Sequence, residues 1–114
     1  MKKLLFISIV TLGLLSCSEP KNLYSWHDYE DVTYEYSKNP SEKLKSKVIK
    51  EFQRLTEKQK GIRKIVPPGL LAEYGYLLYM NGKTEEGIKL LNDEIKLYPE
   101  SEKYISRIIK QLDK

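Results

Sequence analysis

Residues 68–101, PGLLAEYGYLLYMNGKTEEGIKLLNDEIKLYPES, decide the fold. Leu70 to Met80 reads as a helix that turns Leu71, Tyr74, Gly75, Leu77 and Leu78 inward. Asn81-Gly82 stops it. Thr84 is expected to cap a second helix, where Glu85 and Glu86 suit the positive end and Ile88, Leu91 and Ile95 line the inner face. Pro99 ends that helix, because proline can neither donate its amide nor fit the helical interior. Two antiparallel helices reach an axis separation of about 8–10 Å only where the side chains at their crossing are small. Gly75 and Gly87 stand where such a crossing would fall. A generic αα-hairpin accounts for most of these cues.

The neighbouring segments extend the same pattern. Upstream, Asn39-Pro40-Ser41-Glu42 reads as a helix start, with Asn39 as N-cap, Pro40 at the first helical position and Glu42 at the third. Leu44, Val48, Ile49, Phe52 and Leu55 then form one apolar stripe, and Gly61 is expected to close the helix. Its lysines (Lys43, Lys45, Lys47, Lys50, Lys58 and Lys60) read as a solvated face rather than a patch for an acidic partner. Ile62 to Val66 is expected to be a short extended link, and Pro67-Pro68-Gly69 breaks the chain before the next helix. Downstream, Ser101 to Leu112 supplies an amphipathic helix through Tyr104, Ile105, Ile108 and Leu112. Tyr29, Val32, Thr33 and Tyr36 share one face of a short helix nearer the N-terminus. No alternation of period two persists long enough for a sheet. The expected fold class is all-α, built of antiparallel helical hairpins.

At 34 residues, the stretch from Pro68 to Ser101 resembles one tetratricopeptide repeat. Leu71 takes the first apolar position of helix A, Gly75 the small position at the crossing, and Leu78 the apolar position near the helix end. Gly82 makes the turn, Gly87 stands where helix B normally carries alanine, Leu91 replaces the usual Phe or Tyr, and Pro99 is the closing proline. Glu94 departs from the pattern, since a small residue is expected there, and the last helix would then act as a solvating cap. Moving the window back by one repeat length puts Ser37 and Ser41 where Leu71 and Gly75 stand, so no second repeat is visible. A single repeat cannot bury both faces alone. The preceding helix and the aromatic segment are expected to cover the open side.

The N-terminus bears on where the chain works. Lys2 and Lys3 precede an uncharged run from Leu4 to Leu15, the layout of a secretory signal, and the run is too short for the ~20 apolar residues of a stable membrane span. Leu14-Leu15-Ser16-Cys17 matches the lipobox of bacterial lipoproteins. That reading makes 1–16 a signal peptide, Cys17 a thioether-linked lipid acceptor, 17–23 a short tether, and 24–114 a single helical domain. Two or three acyl chains anchor firmly where one is marginal. An ordinary signal peptide with an incidental cysteine, or an apolar N-terminal helix of the fold, is the alternative. Losing Lys2 and Lys3 takes the formal net charge from +4 to +2, so the basic balance of the whole chain does not argue for nucleic acid. With the chain's one cysteine lipidated, neither disulfide nor thiolate chemistry remains. Ser18 after the cysteine points to the outer rather than the inner membrane, and Glu19 hints at surface export.

Residues 23–36, LYSWHDYEDVTYEY, hold the chain's one Trp and one His. Asp28, Glu30, Asp31 and Glu35 could supply paired carboxylates, and Trp26 with Tyr24 could stack on a sugar ring. No Gly-rich loop or nucleophile motif accompanies them, and no catalytic residue is assigned. His27 lacks a second histidine or a thiolate beside it, so no metal or cofactor is expected. The simpler reading packs Trp26, Tyr29 and Tyr36 as a lid on the helix pair, with the carboxylates facing water.

Taken together, Tyr24-x-Trp26-x-x-Tyr29-Glu30 near a lipidated Cys17, followed by Pro67-Pro68-Gly69-x-x-Ala72-Glu73-x-Gly75-Tyr76-Leu77-Leu78-Tyr79, resemble a family of small bacterial lipoproteins catalogued only as a domain of unknown function. His27 and Asp28 depart from it, since small residues are common after the Trp. The resemblance implies an envelope assembly shared with a curli-channel-like lipoprotein and a second small lipoprotein, and it brings no catalytic residues. The function expected is that of a lipid-anchored, non-enzymatic helical adaptor for other envelope lipoproteins. Candidate partner-binding residues are Trp26, Tyr34, Tyr74, Tyr76 and Tyr79. A glycan- or peptidoglycan-binding lipoprotein and a secretion or trafficking chaperone are the alternatives.

Overall fold

The computed structural model describes residues 22–114, so the expected signal peptide (1–16), Cys17 and most of the expected tether lie outside the described residues. Among the described residues the chain is all-helical, with no strand. Helix α1 spans Tyr29–Lys38, α2 Glu42–Glu57, α3 Leu70–Met80, α4 Thr84–Leu97 and α5 Glu102–Leu112, with a 3-10 turn at Pro99–Ser101.

The start of α2 lies two residues later than expected. Ser41 is the N-cap, and its hydroxyl accepts from the Leu44 N–H (3.2 Å). Asn39 instead ends α1, donating its N–H to the Glu35 carbonyl (3.1 Å). Val48, Phe52 and Leu55 recur at helical spacing and are buried, while Leu44 and Ile49 are only half-buried. The helix stops at Glu57 with Lys58 as its C-cap, so Gly61 does not close it.

Gly61 has a different task. A Cβ there would run into the Leu23 carbonyl and the Tyr24 Cα, so only glycine lets the N-terminal segment cross this close. The Ile62 N–H donates to the Asn22 carbonyl (3.1 Å) and the Arg63 N–H to the Leu23 carbonyl (3.2 Å). The link after α2 therefore begins as a tight turn rather than running extended from Ile62 to Val66. Within it, the Lys64 N–H donates to the Gly61 carbonyl (3.0 Å), with Lys64 itself at φ 56°. Gln59 fastens the other side. Its Oε1 accepts from the Ser25 N–H (3.1 Å) and hydroxyl (3.2 Å), and its Nε2 donates to the carbonyls of Ser25 (2.8 Å) and Leu55 (3.1 Å). Gln59→Ala leaves several of these part-buried groups without partners and should lower stability by about 1–3 kcal/mol in urea unfolding. An unchanged midpoint would show that water replaces the glutamine freely.

The turn between α3 and α4 follows from its sequence. Gly82 adopts φ 89°, the Gly82 N–H donates to the Tyr79 carbonyl (3.0 Å), and the Lys83 N–H donates to the Leu78 carbonyl (3.0 Å). These two bonds make a Schellman stop, which needs a left-handed residue at this position. Thr84 is not the cap of α4. It is the first helical residue after Lys83, and no side chain caps that end. Gly75 and Gly87 lie backbone to backbone between the two helices, and a Cβ on either would meet the other's carbonyl oxygen, at 2.6 and 2.5 Å.

α3 and α4 share the broadest contact of the fold, α1 packs on α2, α2 meets α3, and α5 rests on α4. The main cluster joins Val48, Phe52 and Leu55 to Val66, Leu70 and Leu71. α1 adds no fully buried residue, and its Tyr29, Val32 and Tyr36 lean half-buried on that cluster. The aromatic segment thus covers α2 first, and Tyr29 ties it to α3 through the hydroxyl it donates to Glu73.

Candidate functional site

The strap from Asn22 to Asp28 sets the position of Trp26. His27 turns the backbone at φ 46°, and its Nε2–H donates to the Lys58 carbonyl (3.1 Å). The Asp28 N–H then donates to Glu51 Oε1 (3.0 Å), while the Asp28 carboxylate pairs with Arg54 (3.0 Å). These contacts hold the Trp26 ring 5.3 Å from that of Tyr29, tilted by 52°. Tyr29 in turn meets Phe52 edge-on at 5.8 Å and donates its hydroxyl to Glu73 (2.6 Å). Burial, then the Glu73 carboxylate, pushes the Tyr29 phenol up, which keeps it a neutral donor.

Beyond this pair opens a groove of about 750 Å³. Trp26 and Tyr29 form one end, and α3 contributes Leu70, Ala72, Glu73 and Tyr76. Glu94 and Tyr98 come from α4 and its end, Glu100 from the 3-10 turn, and Tyr104, Ile105 and Ile108 from α5. Tyr98 is buried and donates its hydroxyl to the Val66 carbonyl (2.6 Å), and burial followed by the neighbouring Tyr24 pushes it up to about 12.

Glu94 is the unusual member, being a carboxylic acid only 1% exposed. Its Oε1 accepts from the Gly69 N–H, just before the first turn of α3, where the helix dipole favours negative charge. Its Oε2 is buried and meets no hydrogen-bond partner among the described residues. Burial raises its pKa, the Gly69 N–H opposes that, and Glu100 adds to it. A carboxyl raised on folding favours the native state while protonated, below its ordinary value of 4.5, and that advantage is lost as pH rises through the folded pKa. Relative to Glu94→Gln, the native chain should therefore lose stability from acid to neutral pH in urea unfolding. Parallel pH curves for the two proteins would mean that Glu94 is not desolvated.

The residues expected at a binding site are dispersed. Trp26 (45% exposed) and Tyr76 (48%) open onto the same groove. Tyr74 does not, because it stacks on Phe52 at 5.5 Å on the side facing α2. Tyr79 donates its hydroxyl to the Leu112 carbonyl (2.7 Å) and ties α3 to α5. Tyr34 is exposed on α1, away from the groove, with the Lys38 ammonium 4.8 Å from its ring centre. Tyr104, counted with the apolar positions of the amphipathic last helix, is 69% exposed on the groove wall. Periodicity could not separate a wall from a core. Glu94 was visible only as a break in the repeat pattern. Of the paired carboxylates, Asp28 is engaged by Arg54 and Glu35 faces Lys47 at 3.9 Å. Among the described residues, no group of three or more His, Cys, Asp or Glu is placed to hold a metal ion.

A match to a family model covers residues 23–108, and the family is described as Domain of unknown function (DUF4810). The chain belongs to this family. The DUF4810 span runs from the strap into α5 and takes in Trp26, Tyr76, Glu94 and Tyr104. No curated protein and no solved structure matches the chain. Among the described residues, no helix is long and apolar enough to cross a membrane.

Proposed function

We propose that this DUF4810 protein is a lipid-anchored, non-enzymatic adaptor that gathers other envelope lipoproteins, a curli-channel-like companion among them. In this reading Cys17 carries the acyl chains in the outer membrane. Helices α3 and α4 form an antiparallel, tetratricopeptide-like hairpin, and the groove beside α3 holds a segment of the partner. The observation that carries the reading is the groove wall, where Trp26, Tyr76 and Tyr104 remain 45–69% exposed around one cavity. Large amphipathic rings left open in a concave surface are the anchors that protein partners bury. A photoreactive residue in place of Tyr76 should crosslink a defined partner in the native membrane fraction. Finding no stable partner would sink the adaptor, and finding the chain in the soluble fraction would sink the anchor.

A glycan-binding reading retains one point in its favour, since Trp26 is half-open in a groove that the Glu73 and Glu100 carboxylates also line. Binding of the purified protein to cell-wall polymers, lost in a folded Trp26→Ala variant, would promote it. A chaperone would instead crosslink to many unfolded clients without a preferred one.

A further inference from the structure

We infer that the groove receives a lysine or arginine side chain from an otherwise apolar partner segment, with its terminal N–H groups seated on Glu94 Oε2. The inference rests on the adaptor reading and adds the chemistry of the partner. Glu73, Glu94 and Glu100 line the groove, yet no lysine or arginine does. That imbalance stands against a chain in which Lys and Arg outnumber Asp and Glu by 20 to 16, and still outnumber them once Lys2 and Lys3 are lost with the expected signal peptide. Glu73 is already engaged by Tyr29 (2.6 Å). Glu94 Oε2 is not engaged among the described residues, and a buried acceptor without a donor carries its full desolvation cost.

The shape of the site selects the donor. Glu94 lines the groove while its Oε2 is closed off from solvent, so a peptide N–H of a main chain lying across the groove does not reach that oxygen unless a neighbour moves. A long, narrow stem with donors at its tip can reach it, and the stems of Lys and Arg pack well along aromatic walls. Tyr104, 69% exposed on α5, is the wall ring least held by packing and so the freest to move aside for it. Apolar residues flanking the basic one would lie on Trp26, Tyr76 and Ile108.

The test uses the full chain in lipid nanodiscs and two blocked peptides, one with a single arginine between leucines, the other with citrulline in its place. Trp26 fluorescence and the Gly69 amide resonance report binding at the two ends of the site. The arginine peptide should bind about tenfold more tightly, as one charge-assisted hydrogen bond predicts. Glu94→Gln, which keeps the acceptor for Gly69, should abolish that preference, whereas Trp26→Ala should weaken both peptides alike. Equal binding of the two peptides, or a preference that survives Glu94→Gln, overturns the inference. If neither peptide binds while a Tyr104 crosslinker captures one partner in the membrane, the adaptor stands and the cation chemistry falls. If that crosslinker captures only a second copy of this chain, the occupant is the chain itself and the inference falls with it. No peptide binding and no crosslinked partner removes the adaptor reading as well.

Discussion

Gly87→Ala is expected to lower the stability of the domain by about 1–3 kcal/mol, although alanine gains about 1 kcal/mol over glycine in helix propensity. The opposing term is steric. A Cβ at Gly87 would sit 2.5 Å from the Gly75 carbonyl oxygen, 2.8 Å from the Tyr79 amide nitrogen and 2.9 Å from the Tyr79 Cβ. None of these atoms is the free end of a flexible side chain. Relief requires α3 and α4 to separate as bodies, and Gly75 fares no better, with the Gly87 carbonyl 2.6 Å away. Separation would loosen Leu78 and Leu91, each at most 1% exposed at this contact. Asn92→Ala, on the exposed side of α4, is the control that gains propensity without a clash. Equilibrium unfolding in urea should place the two variants on opposite sides of the native chain. A Gly87→Ala protein as stable as Asn92→Ala would mean that the helices do not approach this closely.

The glycine crossing was legible in the sequence because it is a matter of spacing. Gly75, Gly87 and the Gly82 stop sit where a helix pair of this length needs small or left-handed residues, and local geometry alone dictates them. What could not be read depends on contacts between residues far apart in the chain. Gly61 looked like a helix stop, and its reason for being glycine is a backbone 38 positions earlier, at Leu23. Asn39 and Ser41 are both good caps, and only the end of α1 decides between them. Tyr74, Tyr76 and Tyr79 are all candidate partner-binding residues in the sequence, being close together on one helix. At 100° per residue they point in three directions, onto Phe52, into the groove and toward Leu112. The groove itself was hidden for the same reason. Its lining includes a glutamate that the pattern marks as an exception and a tyrosine counted on the apolar side of the last helix.

Phe52→Ala is expected to cost about 3–5 kcal/mol, a large part of what a domain of this size possesses. Phe52 is 4% exposed at the centre of α2, and it is the ring through which three segments meet. Tyr29 meets it from α1 at 5.8 Å, and Tyr74 stacks on it from α3 at 5.5 Å with the planes only 10° apart. Loss of the ring removes both aromatic contacts and leaves a cavity that rigid helices cannot close. The structural consequence reaches the groove. Tyr29 supports Trp26 from beneath and holds Glu73 through its hydroxyl, so a tilted Tyr29 displaces both. Trp26, the chain's one tryptophan, should therefore report the change as a red-shifted, more quenchable emission even where the variant is still folded. Phe52→Leu separates the two effects, since it keeps most of the volume while losing the ring. It should recover most of the stability yet leave Trp26 displaced, because a leucine cannot stack on Tyr74 or offer a face to Tyr29. Native Trp26 emission in a folded Phe52→Leu protein would place the support of the groove elsewhere, in the strap held by Gln59 and Gly61.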